Sequence, residues 1–228
     1  MTGLVAAQGR PVGTMGRMAS TAPLPLTVGF DLDMTLIDSR SGIAATYRAL
    51  SAGTGVPIDD ALVVTRIGPP LETELAHWFP AEEVPAAADR YRALYPSHAI
   101  APSTALAGAR ESVAAVRALG GRAIVVTAKH EPSAELHLAH LGIEPDTVIG
   151  RLWAEAKGEA LREHAAQVYV GDHVGDVRGA RAAGAVSVAV TTGPCDAQEL
   201  REAGADVVLA DLTGFPAWLR AFEAARAA

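Results

Sequence analysis

The run Leu26-Thr-Val-Gly-Phe30 is short, mostly apolar and ends abruptly in acids, which predicts a buried β-strand. From Ser41 the period changes. Ile43, Tyr47 and Leu50 recur at helical spacing, then Leu71, Leu75 and Trp78, then Val84, Tyr91 and Leu94. Gly53, Gly55, Pro57, Pro69, Pro70 and Pro80 break this stretch into pieces, so residues 41–100 read as a helical block without a strand. After Pro102 the pattern alternates. Val113, Val116 and Leu119 predict a helix stopped by Gly120-Gly121, followed by a strand over 123–127. Helices near 132–141, 159–166, 176–183 and 197–203 then alternate with strands at 147–149, 167–170, 186–190 and 206–209, and Phe215, Leu219 and Phe222 mark a closing helix.

Strands alternating with helices in this way predict βα units and an α/β fold with a mainly parallel sheet. The helical block interrupts that series directly after the first strand, where a βα loop normally takes only ~2–6 residues. The expected organisation is therefore a core of residues 26–40 and 101–228 with a helical cap, 41–100, inserted after strand one. Residues 1–25, rich in Gly, Pro, Ala, Ser and Thr, read as a disordered tail, and Met15 and Met18 offer later start sites.

Half the residues are hydrophobic but only 5% are aromatic, so the core must be built from Ala, Val, Leu and Ile, as suits buried parallel strands. A formal charge of −7 without a local Lys/Arg cluster argues against nucleic-acid or anionic-membrane surfaces. No apolar run approaches the ~20 residues that span a bilayer. Cys195 is the single cysteine, which excludes an intrachain disulfide, fits a cytoplasmic location and reads as a bland loop or partly buried thiol rather than a reactive one. The oligomeric state is not legible.

The candidate chemistry lies at strand ends. Asp31 and Asp33 stand two residues apart where the first strand stops, and like charges so close call for a cation or a shared proton. Tyr169-Val-Gly-Asp172-His-Val-Gly-Asp176 repeats the situation at a later strand, where Asp176 alone would read as a helix-capping acid. Open parallel sheets bind ligands beyond the carboxyl ends of their strands, so all four acids fall on one edge. Oxygen ligands grouped this way suit Mg²⁺. Thr127 ends another strand and offers a hydroxyl to a phosphate oxygen, and Lys157, ahead of the next helix, offers a charge to neutralise it.

These motifs, in this order, resemble the haloacid dehalogenase superfamily, in its phosphoglycolate-phosphatase-like branch with a helical cap. Asp31, Asp33 and Thr35 match the first motif, Thr127 the second, Lys157 the third, and Asp172 with Asp176 the fourth. The resemblance implies a Rossmann-like three-layer core and a Mg²⁺-dependent phosphatase acting on a small phosphorylated metabolite, such as phosphoglycolate or a sugar phosphate. Asp31 would be the nucleophile forming an aspartyl-phosphate, and Asp33 the acid and base. Thr127 and Lys157 would hold the phosphate. Mg²⁺ would be held by Asp31, the backbone carbonyl of Asp33 and Asp172, with Asp176 ligating directly or through water. Two positions depart from the pattern. Met34 stands where Gly is usual, implying altered packing against the cap, and Ala128 stands where an amide often follows the second-motif Thr.

Three further features are weaker. Arg66-Ile-Gly68-Pro-Pro70-Leu71 resembles the cap's substrate loop and would present Arg66 to the leaving group. His137 and His140, one helical turn apart with no third ligand, read as solvent-facing, and His173 as packing beside Asp172. The alternatives to a phosphatase are a sugar-phosphate mutase of the same superfamily, disfavoured because Pro69, Pro70 and Leu71 rather than a basic residue follow Gly68, and a non-catalytic module that binds a phosphorylated metabolite.

Overall fold

The computed structural model describes residues 25–226, so the expected tail at 1–25 lies outside the described residues except for Pro25. β1 (Thr27–Phe30) leads through a tight turn to the two-residue β2 (Ile37–Asp38). Four helices follow: α1 (Arg40–Thr54), α2 (Asp60–Val63), α3 (Leu71–Leu75) and α4 (Val84–His98). The chain returns through β3 (Thr104–Ala105). It then alternates as α5 (Ala109–Ala118), β4 (Arg122–Val126), α6 (Glu131–Leu141), β5 (Thr147–Ile149), α7 (Lys157–Glu163), β6 (Val168–Gly171) and α8 (Val174–Ala183). β7 (Val186–Val190), α9 (Ala197–Glu202), β8 (Val207–Leu209) and α10 (Phe215–Arg226) complete it.

The main sheet has six parallel strands in the order β5-β4-β1-β6-β7-β8. Because side chains alternate across a strand, each strand feeds two layers. Val28 and Phe30 of β1, Val125 of β4 and Val170 of β6 pack against α5, α6 and α10. Ile124 and Val126 of β4 and Tyr169 of β6 point the other way, towards Ala160 and Leu161 of α7 and Ala180 of α8. Burial on both faces explains why these strands read as continuous apolar runs. Phe30 closes the first layer edge-to-face on Phe215, with ring centroids 5.4 Å apart.

The helices between β2 and β3 bury a separate cluster: Ile43, Tyr47 and Leu50 of α1 against Ala88, Tyr91 and Tyr95 of α4, with Leu75 and Phe79 between them. The antiparallel pair β2–β3 ties the two roots of this insertion together, Ile37 opposite Ala105. Two residues a side are too few to leave a periodic trace, so both strands escape a reading by pattern. Met34 belongs to the helical cluster and has φ +60°. Glycine enters that left-handed region freely, whereas Met34 bears a steric cost there and gains a buried contact with the insertion.

Candidate active site

The carboxyl ends of β1 and β6 lie side by side at the centre of the sheet. Asp31 follows β1 directly and its backbone N–H still donates to the Val170 carbonyl of β6 at 2.8 Å. Asp172 follows β6, and Asp176 lies in the first turn of α8. There His173, not Asp176, is the N-cap: its ring nitrogen accepts from the Gly175 N–H, while the Asp176 carboxylate accepts from the His173 N–H at 3.0 Å. Gly171 permits this fold-back, since a Cβ there would stand 2.3 Å from Asp176 Cγ. One carboxylate oxygen from each of Asp31, Asp172 and Asp176 lies within 4.8 Å of the others, and all three residues are buried.

Lys157 is the counter-ion. It opens α7 rather than preceding it, after a 3-10 turn at Ala154–Ala156. Its Nζ donates to Asp31 Oδ1 at 2.9 Å, Asp176 Oδ1 at 2.6 Å and Tyr169 Oη at 2.9 Å. Burial opposes its charge, but Asp176 and Asp31 hold its pKa above the usual lysine value. Burial pushes Asp31 up to about 6 against the pull of Lys157, with Asp176 and Asp33 adding to the rise. Asp172 is pushed well above the usual carboxylate range by burial, then by Asp176 and Asp31; the Thr35 hydroxyl, donating to its Oδ1 at 2.7 Å, lowers it in part. Three buried carboxylates thus face one ammonium. A divalent cation would fill that charge deficit, and an all-oxygen donor set suits a hard one.

This electrostatics sets a stability test. A carboxyl whose folded pKa is raised favours the native state at low pH, and that contribution is lost as pH rises from the unfolded value towards the folded one. Without metal, Asp172→Asn is therefore expected to exceed the parent protein in melting temperature at pH 8 by at least about 2 °C, or ~1 kcal/mol, with the gap shrinking at pH 5. With a divalent cation the order should reverse. Thermal unfolding in chelator and in Mg²⁺ at both pH values checks this, and a pH-independent gap would contradict it.

Asp33 parts from Asp31. Its Oδ2 pairs with Lys129 Nζ at 3.0 Å, while its Oδ1 is shielded from solvent and has no hydrogen-bond partner among the described residues. Lys129 was not singled out in the sequence, where Thr127-Ala-Lys129 reads as a strand running into a turn. It is half-buried with its side chain largely covered, it donates to Tyr95 Oη at 2.6 Å, and against the opposing effect of burial Asp33 and Tyr95 hold its pKa above the usual value. Thr127 is buried at the end of β4, and its Oγ1 accepts from the Lys129 N–H at 3.2 Å. Asp33 borders a cavity of about 300 Å³ between the helical insertion and the core, lined also by Tyr47, Tyr91, Tyr95, Arg92 and Arg151.

Arg66 and Gly68 line the same cavity, but the Arg66 guanidinium is committed. It donates to both oxygens of Glu74, at 3.0 and 2.5 Å, and lies 5.9 Å from the Trp78 ring centroid. Arg151, at φ +61° just after β5, makes no ion pair within 4 Å among the described residues; its charge helps to lower the pKa of Glu72, which is itself paired with Arg92. His140 is exposed as expected, but His137 corrects the sequence reading: it is fully buried and its Nε2 meets Tyr95 Oη at 2.9 Å. Its register with Ser133, Ala134, Leu138 and Leu141 on the buried face of α6 was the available signal. His173 packs on Trp153, ring centroids 5.0 Å apart, and Cys195 is buried.

A family model described as haloacid dehalogenase-like hydrolase matches residues 28–181. The chain is 34% identical over 191 residues to a protein named tyrosine-protein kinase PtkA from Mycobacterium tuberculosis, covering 78% of this chain but only 66% of that one. It is 32% identical over 205 residues to a phosphoglycolate phosphatase of Chromobacterium violaceum, covering 80% of this chain and 90% of that one. In fold it matches a haloacid dehalogenase-like family protein from Streptococcus pneumoniae with a TM-score of 0.75 at 24% identity, over 86% of this chain and 98% of that one.

Proposed function

From the premise that the chain belongs to the haloacid dehalogenase-like hydrolase family, we propose that it is a Mg²⁺-dependent phosphatase that cleaves a small organic phosphate monoester through an aspartyl-phosphate on Asp31. The observation that carries the reading is Asp33: one oxygen is held by the largely covered Lys129, the other is unpartnered among the described residues, and the residue lines a substrate-sized cavity beside the Asp31 cluster. A group so placed can give a proton to a departing alcohol and recover one from water.

In this mechanism Asp31 attacks phosphorus and the leaving oxygen takes the proton of Asp33. Asp33 then accepts a proton from water, which attacks the acyl-phosphate and regenerates Asp31. Lys157, already bonded to Asp31, stands where charge on the phosphoryl oxygens needs compensation, and the Thr127 hydroxyl has no acceptor for its proton among the described residues. Asp31, Asp172 and the Asp33 carbonyl would hold Mg²⁺, with Asp176 reaching it through water because Lys157, Tyr169 and the His173 N–H already occupy its oxygens. Bound there, the ion would neutralise phosphoryl charge and fix the in-line geometry.

The leaving group would occupy the cavity. Its tyrosine walls suit an apolar body, and Arg151, bonded to no carboxylate and near only the Glu72 that Arg92 already pairs, can meet an anionic end. Arg151→Gln is expected to raise KM about 10- to 100-fold for esters whose leaving group carries a carboxylate or second phosphate, the cost of ~1.5–3 kcal/mol for a charge-assisted hydrogen bond. Uncharged esters should change little; an equal effect on both would remove Arg151 from the site. The name of the mycobacterial relative supports a second reading, phosphoryl transfer to a tyrosine hydroxyl instead of water. Phosphate release from a chromogenic ester and a metabolite panel with Mg²⁺, beside labelled ATP with a tyrosine peptide, separates the two. Net release of inorganic phosphate also excludes the mutase and the binding module; none from any ester would overturn the proposal.

A further inference from the structure

Four polar side chains from separate parts of the chain form one continuous line, two half-buried and two buried: Asp33 after β1 and Lys129 after β4, then Tyr95 on α4 of the insertion and His137 on α6 of the core. The separations are 3.0 Å from Asp33 Oδ2 to Lys129 Nζ, 2.6 Å from Nζ to Tyr95 Oη, and 2.9 Å from Oη to His137 Nε2. The Lys129 ammonium also lies 4.6 Å from the Tyr95 ring centroid. His137 has no part in the phosphatase chemistry described above, and Tyr95 enters it only as a wall of the cavity.

The line has a direction. An ammonium only donates, so Tyr95 Oη accepts from Lys129 and its single proton goes to His137 Nε2. His137 is then the neutral Nδ1–H tautomer, in keeping with a pKa pushed down to about 4 by burial, with the Lys129 charge adding to the fall. That Nδ1 is buried without a hydrogen-bond partner among the described residues. Leaving a buried donor unsatisfied costs free energy, which packing alone would avoid with an apolar side chain at 137. The line therefore needs Nε2 as an acceptor more than it needs Nδ1 satisfied.

We propose that Lys129 is a positioning residue for Asp33: it fixes one carboxylate oxygen so that the other faces the leaving group, and Tyr95 from the cap with His137 from the core fixes Lys129 in turn. Because Tyr95 belongs to α4, this support is complete only while the cap lies against α6. The acid is thus correctly aimed when the cavity is covered, and loses its outer support when α4 moves away. A lysine recruited only to bind phosphate would need neither a tyrosine nor a histidine behind it.

The inference rests on the phosphatase reading for its kinetic test and on geometry alone for its structural one. Lys129→Met and Tyr95→Phe are compared with Asp33→Asn on two monoesters, propyl phosphate and p-nitrophenyl phosphate. Only the alkyl alcohol needs a proton to leave. With Lys129→Met, kcat on propyl phosphate is expected to fall about 10- to 100-fold, within the ~10²–10⁴ that general acid–base catalysis supplies, and on p-nitrophenyl phosphate less than about 5-fold, with KM within about 2-fold. Tyr95→Phe should give the same signature at a smaller size, about 3- to 10-fold on the alkyl ester, and it carries the test if Lys129→Met does not fold. A crystal structure of either folded variant should show the Asp33 carboxylate displaced. Equal losses on both esters, or a raised KM with kcat preserved, would mean that Lys129 binds phosphate or only braces the fold. Either result overturns the proposal, as does an unmoved Asp33. If the parent protein cleaves neither ester, the phosphatase reading fails and the position of Asp33 alone decides this inference.

Discussion

Asp31→Asn is expected to abolish turnover, by on the order of 10⁴-fold or more, while leaving the fold at least as stable as the parent. The two halves of this result have one cause. Asp31 is buried among Asp33, Asp172 and Asp176, and burial together with those neighbours opposes its charge, so an amide of the same shape relieves the cluster. The amide oxygen can still accept from Lys157 Nζ, which keeps the 2.9 Å contact that anchors α7 against β1. It cannot displace an alkoxide from phosphorus. Circular dichroism and thermal unfolding in chelator should therefore match or exceed the parent, whereas acid-quenched samples with labelled substrate should carry no phosphoryl group on the protein. Turnover above about one per cent of the parent rate, or labelling undiminished, would move the nucleophile elsewhere.

The strand-end acids were legible because each follows a continuous apolar run, and such runs are what a parallel sheet covered on both faces requires. Leu26–Phe30 and Val168–Val170 announced themselves in this way, and with them Asp31 and Asp172. The strand order was not legible. β1 lies between β4 and β6, which are far from it in sequence, and only long-range packing brings them there. Nor did the sequence show how the paired charges at Asp31 and Asp33 are accommodated. Their proximity demanded a cation or a shared proton, and the structure supplies one lysine to each, Lys157 and Lys129. Lys157 was found through the motif order. Lys129 was missed because nothing local marks its side chain as covered: the cover is Tyr95, which the cap brings from 34 positions away. Arg66 does line the cavity, but its ion pair was hidden for the converse reason. A cation beside a Gly-Pro-Pro turn looks available, but the turn brings Glu74 back onto it and closes an ion pair inside the cap.

Lys157→Met should be the most damaging single change to stability at this site, and its damage should depend on pH. Lys157 is almost wholly buried and is the only cation in contact with the Asp31, Asp172 and Asp176 cluster among the described residues. Met fills a similar volume, so the loss is chiefly electrostatic: Asp31 and Asp176 each lose a charged partner and are left in the interior. Breaking a buried pair from one side costs ~3–5 kcal/mol, on the order of 10 °C in a chain of this size. The sign follows from the carboxyls. Without Lys157, which now lowers it, the Asp31 pKa rises further above its unfolded value, so the native state retains its proton over a wider range. The variant is then least impaired near pH 5 and loses ground steadily as pH rises to 8. Mg²⁺ should restore part of the stability at pH 8 by supplying the missing charge, but not the activity. In the proposed mechanism the ammonium offsets charge on the phosphoryl oxygens, so a loss of roughly 10²–10³-fold in kcat is expected, as for removal of a preorganised donor aimed at developing charge. Lys157→Arg should not rescue it, because the larger guanidinium cannot fit between Tyr169, Asp31 and Asp176 in a space with no access to solvent. Unfolding curves for both variants at pH 5 and 8, with and without Mg²⁺, test the claim. A deficit that is the same at both pH values would show that Lys157 acts by packing rather than by charge.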